Sequence, residues 1–181
     1  MPSFIVEDGT IVPDATSYVT VAEADDYLSV KSNSADWTAL ADSVVQNYLM
    51  WATRLLDQRA RWQAGTVRTD EDQELAWPRQ YAYDREGEAL PDDIIPDEIK
   101  DATIEIAFNL FDQQIDPSDG SAGGSAGGVI NKIKVAVIEI GYSEGTSGTT
   151  SPYPKGLNDL LYPLGSVAGA GGSRGIPIKK A

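Results

Sequence analysis

The chain has 181 residues, of which 41% are hydrophobic, enough for one modest core, and its formal net charge is −14. It contains no cysteine and no histidine, which excludes disulfides, thiolate metal sites, the Ser-His-Asp triad and the commonest general base. We therefore expect a protein that is not an enzyme and that holds no cofactor and no metal.

The charge is unevenly distributed along the chain. Residues 1–115 hold 23 acidic and 8 basic residues, whereas residues 116–181 hold 5 acidic and 6 basic ones. DNA binding relies on basic surface that releases counterions from phosphates, so the acidic part should repel DNA. No apolar run is long enough to cross a membrane, and the first residues lack the pattern of a signal peptide.

The first predicted helix follows an extended entry over residues 4–19. Thr20 and Glu23 have the spacing of a capping box, in which each side chain bonds the backbone N–H of the other residue. The pattern predicts a short helix over residues 21–30, with Ala24, Tyr27 and Leu28 facing inward.

The longest predicted helix covers residues 42–61, and no glycine or proline interrupts it before its end. The apolar residues of one face recur at helical spacing: Val45, Tyr48, Leu49, Ala52, Leu55 and Leu56. At about 1.5 Å per residue this helix is roughly 30 Å long, the width of a small domain. We expect the rest of the chain to cover its apolar face.

Residues 70–74 carry four acidic side chains ahead of Trp77 and Pro78. Acidic residues suit the first turn of a helix, and a proline ends one, so the pattern predicts a short helix here. The alternative is a site for a hard cation made by Asp70, Glu71, Asp72 and Glu74. The spacing is not that of an EF hand, so we favour the helix.

A set of arginines and aromatic residues surrounds this segment. Such a set can stack single-stranded DNA bases. The simpler interpretation, which we favour, places the tryptophans in the core and pairs the arginines with acids. The set comprises Trp51, Trp62, Trp77, Tyr81, Arg54, Arg59, Arg61, Arg68, Arg79 and Arg85.

A further helix is predicted over residues 96–114, starting with Pro96, Asp97 and Glu98. It has two apolar rows, one through Ile99 and Ile106 and one through Ile104, Phe108 and Phe111. A helix that is apolar over most of its circumference is covered on two sides. We expect another subunit to provide one of the covers.

The remaining chain is predicted to be an arm. Residues 116–128 include a Gly/Ser-rich linker, and residues 129–142 alternate like a strand that must pair with a sheet edge. Leu157, Leu160, Leu161 and Leu164 indicate a short amphipathic turn that Pro163 stops.

These elements predict a mainly α fold, a small bundle of about four helices with a C-terminal extended β arm. The predicted domains are a helical core (1–115), a linker (116–128), a strand arm with a short helical turn (129–165) and a flexible tail (166–181).

Several short motifs occur in a fixed order: Val6-Glu7-Asp8-Gly9, the stretch from Tyr18 to Tyr27, Trp37 with Leu40, Ala52 to Asp57, and Ala76-Trp77-Pro78-Arg79. They resemble a family of tailed-phage and prophage genomes that carries the label DnaT-like single-stranded-DNA-binding protein. The resemblance covers roughly residues 4–115. The gene context and predicted helical fold of this family are similar to those of the head–tail connector, or adaptor, of long-tailed phages.

The resemblance implies a structural protein of the virion neck, made in the cytoplasm of a bacterial host. It implies a homo-oligomeric ring, typically of twelve subunits, that contacts the portal protein and downstream neck or tail proteins. DNA passes through the ring without specific binding, and an acidic channel suits this role. The alternative function is single-stranded-DNA binding through the arginine and aromatic set.

The apolar residues predicted to contact other subunits or the portal are Ile104, Phe108, Phe111, Ile133, Val135, Val137, Ile138, Ile140, Tyr142, Leu160 and Leu161. We expect that deletion of residues 129–181 leaves a folded helical core but impairs assembly of the ring or its complex with the portal.

Overall fold

The computed structural model describes residues 3–115, 151–168 and 170. The elements in chain order are α1 (Val21–Leu28), α2 (Ala35–Thr38), α3 (Asp42–Arg59), β1 (Ala60–Trp62), β2 (Val67–Arg68), β3 (Arg79–Gln80), α4 (Asp97–Asp112), α5 (Leu157–Leu160) and β4 (Gly165–Val167). The predicted linker and the predicted strand over residues 129–142 lie outside the described residues.

The described residues form a mixed α/β fold, so the prediction of a mainly α bundle of about four helices is wrong. They contain five helices and two small antiparallel sheets, in which β1 pairs with β4 and β2 with β3. Ala60 lies opposite Val167, and Val67 lies opposite Gln80. Strands of two or three residues are too short to show an alternating pattern in the sequence.

Helices α3 and α4 pack against each other at the centre of the core. The predicted apolar face of α3 is confirmed, since Val45, Leu49 and Leu56 are buried in it. The facing side of α4 buries Ile99 and Ile106. Burying one such side chain contributes about 1.5–3 kcal/mol, so this contact is a main source of stability.

The second apolar row of α4 is covered by the same chain. Trp37 of α2 is fully buried, and its ring centroid lies 6.0 Å from that of Phe108 and 5.6 Å from that of Phe111. Tyr48 of α3 completes the cluster, 6.0 Å from Phe111. The second cover that we expected from another subunit is therefore largely supplied by α2 and α3.

Residues 151–168 and 170 pack into the same core. The hydroxyl of Tyr153 donates to the backbone oxygen of Leu55 at 3.4 Å, and the short helix predicted around Leu157 is present as α5. The buried side chains of this part include Tyr153, Leu157, Leu161, Leu164 and Val167. Deletion of residues 129–181 would remove these side chains and should destabilise the core, and the expectation that a folded core remains stays a prediction.

The start of α1 is confirmed in detail. The N–H of Glu23 donates to Oγ1 of Thr20 at 3.1 Å, and the N–H of Thr20 donates to Oε2 of Glu23 at 2.8 Å. This is the capping box that the sequence predicted. The helix ends at Leu28, two residues before the predicted end.

Residues 70–77 form turns, so the short helix predicted there is wrong. Gln73 is buried, and its side chain accepts the N–H of Asp70 at 3.0 Å. The same side chain donates to the backbone oxygens of Leu75 at 2.7 Å and Pro78 at 3.1 Å. These bonds satisfy backbone groups that a helix would pair internally, and the loop closes around Gln73 instead.

Candidate functional site

A groove of about 610 Å³ runs along the outer side of α3, between Ala15-Thr16 on one flank and Glu74-Leu75 on the other. This volume falls within the range of about 300–1,000 Å³ that is usual for ligand sites. The α3 residues that line it are Asn47, Met50, Trp51, Thr53, Arg54, Asp57 and Gln58. The groove therefore combines an apolar floor with charged groups of both signs.

Asp57 connects the groove to two loops. Its Oδ1 accepts the hydroxyl of Tyr18 at 2.8 Å, and its Oδ2 accepts the N–H of Ala76 at 2.8 Å. The oxygen of Tyr18 in turn accepts the N–H of Trp77 at 3.1 Å. This set, which we call the Asp57 node, ties the second half of α3 to residues that lie far away in the sequence.

Burial dominates the electrostatics of the Asp57 node. Burial raises the pKa of the Asp57 carboxyl to about 6, although hydrogen bonds from Ala76 and Tyr18 and the charges of Arg68 and Arg79 act in the opposite direction. Burial and the nearby Asp57 carboxylate raise the pKa of the Tyr18 hydroxyl well above its usual value. The tyrosine therefore remains a neutral hydrogen-bond donor at any physiological pH.

Thr53 is a second polar residue of α3 in the groove lining. Its side chain is buried, and its Oγ1 has no hydrogen-bond partner among the described residues. A buried hydroxyl without a partner costs about 1–3 kcal/mol, so such groups are rare in folded proteins. Thr53 marks the part of the groove where an additional hydrogen-bonding group would be stabilising.

Trp51 and Arg54 form the exposed side of the groove. The guanidinium of Arg54 lies over the indole ring of Trp51, 5.2 Å from its centroid, and Trp51 is partly buried against the core. A cation over an indole face contributes about 0.5–1 kcal/mol when exposed. The pair shows that this ring attracts cationic groups.

The predicted arginine and aromatic set does not come together as one surface. Trp77 is 1% exposed, and Trp62 is partly buried with its ring edge-on to Trp77 at 5.7 Å. The interpretation of these two tryptophans as core residues is confirmed. Tyr81 is 65% exposed, and Trp51 lies on the groove.

Several arginines bond backbone oxygens, so the expected pairing with acids is wrong for them. Arg79 donates to the backbone oxygens of Thr66 and Ala76, at 3.1 Å each. Arg85 donates to the backbone oxygens of Tyr162 at 2.9 Å and Asp159 at 2.8 Å. Both guanidinium groups hold loops together. Burial lowers the pKa of Arg79 from its usual value.

Two lysines of the core pair with acids. Lys31 lies 2.7 Å from Glu105, and Lys100 lies 2.8 Å from Glu23. The carboxylates of the loops are mostly exposed instead, as at residues 70–72, 86, 88, 92 and 93. The described surface of residues 3–115 is consequently acidic, and many of its basic groups are already engaged.

The predicted contact residues are distributed over three environments. Ile104, Phe108 and Leu161 are buried within the chain, and Phe111 and Leu160 are partly buried against its core. None of these five offers a large exposed apolar surface to a partner. The other predicted contacts lie outside the described residues: Ile133, Val135, Val137, Ile138, Ile140 and Tyr142.

The acidic cluster at residues 70–74 does not form a metal site, because no group of three or more potential ligands converges anywhere in the described part of the chain. Asp70 instead accepts the N–H of Asp72 at 2.8 Å in a local turn. Among the described helices, none is both long and apolar enough to cross a membrane.

Sequence reasoning missed the Asp57 node and the groove. Tyr18, Asp57 and Trp77 all occur in the motifs that carry the family resemblance, so their joint presence was the available signal. Nothing in their spacing shows that they meet in space, because Tyr18 and Asp57 are 39 residues apart.

One comparison with known proteins gives a match. The family model described as "Putative DnaT-like ssDNA binding protein" matches residues 2–180. No curated protein and no solved structure matches the chain. The match therefore extends the resemblance from residues 4–115 to nearly the whole chain.

Proposed function

The chain belongs to the DnaT-like ssDNA-binding family, and we propose that it serves as a structural subunit of the head–tail connector of a tailed phage. In this role it forms a ring at the virion neck, contacts the portal protein and lets DNA pass without capturing it. The family description favours DNA binding, and no comparison speaks for a connector. The proposal rests instead on the excess of acidic residues in residues 3–115.

The observation that carries the proposal is the acidic surface of residues 3–115. This part of the chain holds 23 acidic and 8 basic residues. Lys31 and Lys100 pair with carboxylates, and Arg79 and Arg85 hold loop oxygens. Each DNA phosphate that is neutralised needs an available cation, and here the acids are in large excess. A wall with this charge lets DNA slide because it does not attract phosphates.

Electron microscopy of the purified full chain, alone and with the portal protein of the same phage, tests the proposal. We expect ring-shaped particles and a complex with the portal. A chain that stays monomeric and does not bind the portal protein would contradict the proposal.

Deletion of residues 129–142 sharpens the test, because that segment is the predicted docking strand. The deleted segment lies between the end of α4 and Ser151. Asn109 of α4 donates to the backbone oxygen of Ser151 at 2.9 Å, so a shorter connection can still join these two parts of the chain. We expect an unchanged unfolding midpoint and impaired assembly. Deletion of residues 119–128, the Gly/Ser-rich stretch, is the matched control and should retain assembly.

The second candidate function is single-stranded-DNA binding, which the family description and the Trp51–Arg54 pair favour. An aromatic ring on which a base stacks contributes about 1–3 kcal/mol per base. If this function holds, Trp51→Ala and Arg54→Gln should each weaken binding of an oligonucleotide. Lys155→Gln, which removes an exposed base outside the groove, is the matched control.

A further inference from the structure

The last residues of the sequence are basic and apolar, which matches the acidic and apolar lining of the α3 groove. Residues 171–181 contain Arg174, Lys179 and Lys180 and no acidic residue. Between these bases lie Ile176, Pro177 and Ile178. We propose that segment 171–181 docks in the α3 groove of the same chain.

The apolar part of the segment matches the floor of the groove. Met50, Trp51 and Leu75 line that floor. Proline fixes its own φ and disfavours the helical region for the residue before it, so the Ile-Pro-Ile triplet enters in an extended form. Extended proline-containing segments commonly dock in grooves lined by aromatic rings.

The charges of the two parts are complementary. Asp57 and Glu74 line the groove, and Glu71 and Asp72 are exposed next to Glu74 in the chain. Arg54 is the single basic residue in the groove lining, and it already lies over Trp51. Arg68 and Arg79 already act on Asp57, so the attraction for a segment with three bases comes mainly from Glu74 and the exposed Glu71 and Asp72. The unpartnered Oγ1 of Thr53 would meet backbone groups of the segment.

The segment leaves the described chain at the right place. Val167 of β4 lies opposite Ala60, the residue that follows the last residue of α3. The antiparallel direction of β4 carries the chain from Gly165, opposite Trp62, back toward α3. From Gln58 to Asn47 the helix extends about 17 Å at 1.5 Å per residue. The segment, fully extended, spans about 36 Å at 3.3 Å per residue, which is ample.

A spin label tests this docking in the full chain. Because the chain has no cysteine, Ser173→Cys provides a unique attachment site for a nitroxide. The readout is the nuclear magnetic resonance signal of the Trp51 indole N–H, assigned with Trp51→Phe. We expect the nitroxide to remove most of the Trp51 signal relative to the reduced label, and the loss to persist on tenfold dilution.

Two variants make the test specific. Ile176→Ser with Ile178→Ser, in the labelled chain, removes the apolar anchor and should restore most of the Trp51 signal. Arg54→Gln removes the competing cation and should leave the signal loss as strong or stronger. If DNA bound in this groove, Arg54→Gln would instead lower the affinity for an oligonucleotide. The variant therefore distinguishes docking of segment 171–181 from DNA binding.

Three outcomes would overturn the proposal. The first is a Trp51 signal that the label does not change. The second is a loss that disappears on dilution, which means that another molecule supplies the segment. The third is a loss that the double isoleucine variant does not reduce. The docking does not depend on the connector function, since it is measured in the isolated chain.

Discussion

Both halves of α3 bury apolar side chains, but only the second half also carries a network of side-chain hydrogen bonds to distant loops. The first half buries Val45 and Leu49 in the core, and the ring centroid of Tyr48 lies 6.1 Å from that of Trp37. The second half carries Thr53 and Asp57, and the Asp57 node binds it to loops by hydrogen bonds. Apolar packing tolerates replacement by side chains of similar volume, whereas a hydrogen-bonded carboxylate needs each donor in place. The contribution of the first half to the stability of the fold should therefore not depend on pH. The contribution of the second half should depend on the protonation of Asp57.

The largest expected effect comes from removing the aromatic centre of the first half. Trp37→Ala deletes a fully buried side chain and the hydrogen bond from its Nε1 to Asp25 at 3.0 Å. We expect a loss of about 3–5 kcal/mol in the free energy of unfolding, measured by urea denaturation. Val30→Ala, at a position 88% exposed, is the control and should change little. A small loss for Trp37→Ala would mean that α2 is not part of the core.

A smaller effect is expected in the second half. In Asp57→Asn the amide oxygen still accepts the hydroxyl of Tyr18, but the amide NH₂ meets the N–H of Ala76, and two donors then face each other. The expected loss at pH 7 is about 1–3 kcal/mol, the cost of an unsatisfied buried donor. Tyr18→Phe is a useful companion, since it removes one bond to Asp57 and keeps the ring. Wild-type stability in Asp57→Asn would contradict the role of the node.

The pH dependence distinguishes the two halves directly. The folded pKa of Asp57 is about 6, above its ordinary value of 3.8, so the folded state binds the proton more readily. The stability contributed by this proton is fully present below about pH 4 and is lost as the pH rises through 6. The advantage of the wild type over Asp57→Asn should therefore grow as the pH falls from 7 to 4. Trp37→Ala should lack this effect, and a pH-independent advantage for Asp57 would contradict the account.

The smallest effect concerns the start of α1, which touches both α3 and α4. Thr20→Ala removes the acceptor for the N–H of Glu23. Loss of an N-cap side chain costs about 1 kcal/mol. Ser32→Ala, in the exposed loop after α1, is the control. Equal stabilities of the two variants in urea would show that the capping box contributes nothing in solution.

The contrast between the halves also explains what sequence could predict. The apolar faces of α3 and α4, the capping box at Thr20 and the helix at Leu157 follow from local spacing, and they are present. The Asp57 node depends on partners 39 and 19 residues away, and no local pattern encodes such a meeting.

The errors have the same physical origin. The four acidic residues predict a helix at residues 70–77. In the structure, the buried side chain of Gln73 instead forms hydrogen bonds with backbone groups of Asp70, Leu75 and Pro78. The spacing of apolar residues predicts the two rows of α4, but it does not indicate that Trp37 covers the second row. A periodic pattern shows that a face is buried, but it does not show what covers it.

For function, the central claim is that the acidic surface does not capture DNA. The direct measurement is fluorescence anisotropy of a labelled single-stranded oligonucleotide titrated with the full chain at low and at moderate salt. We predict no binding at micromolar protein under either condition, because the available bases are few and the acids are many. Tight binding that weakens steeply as salt increases would contradict the account and favour the DNA-binding function.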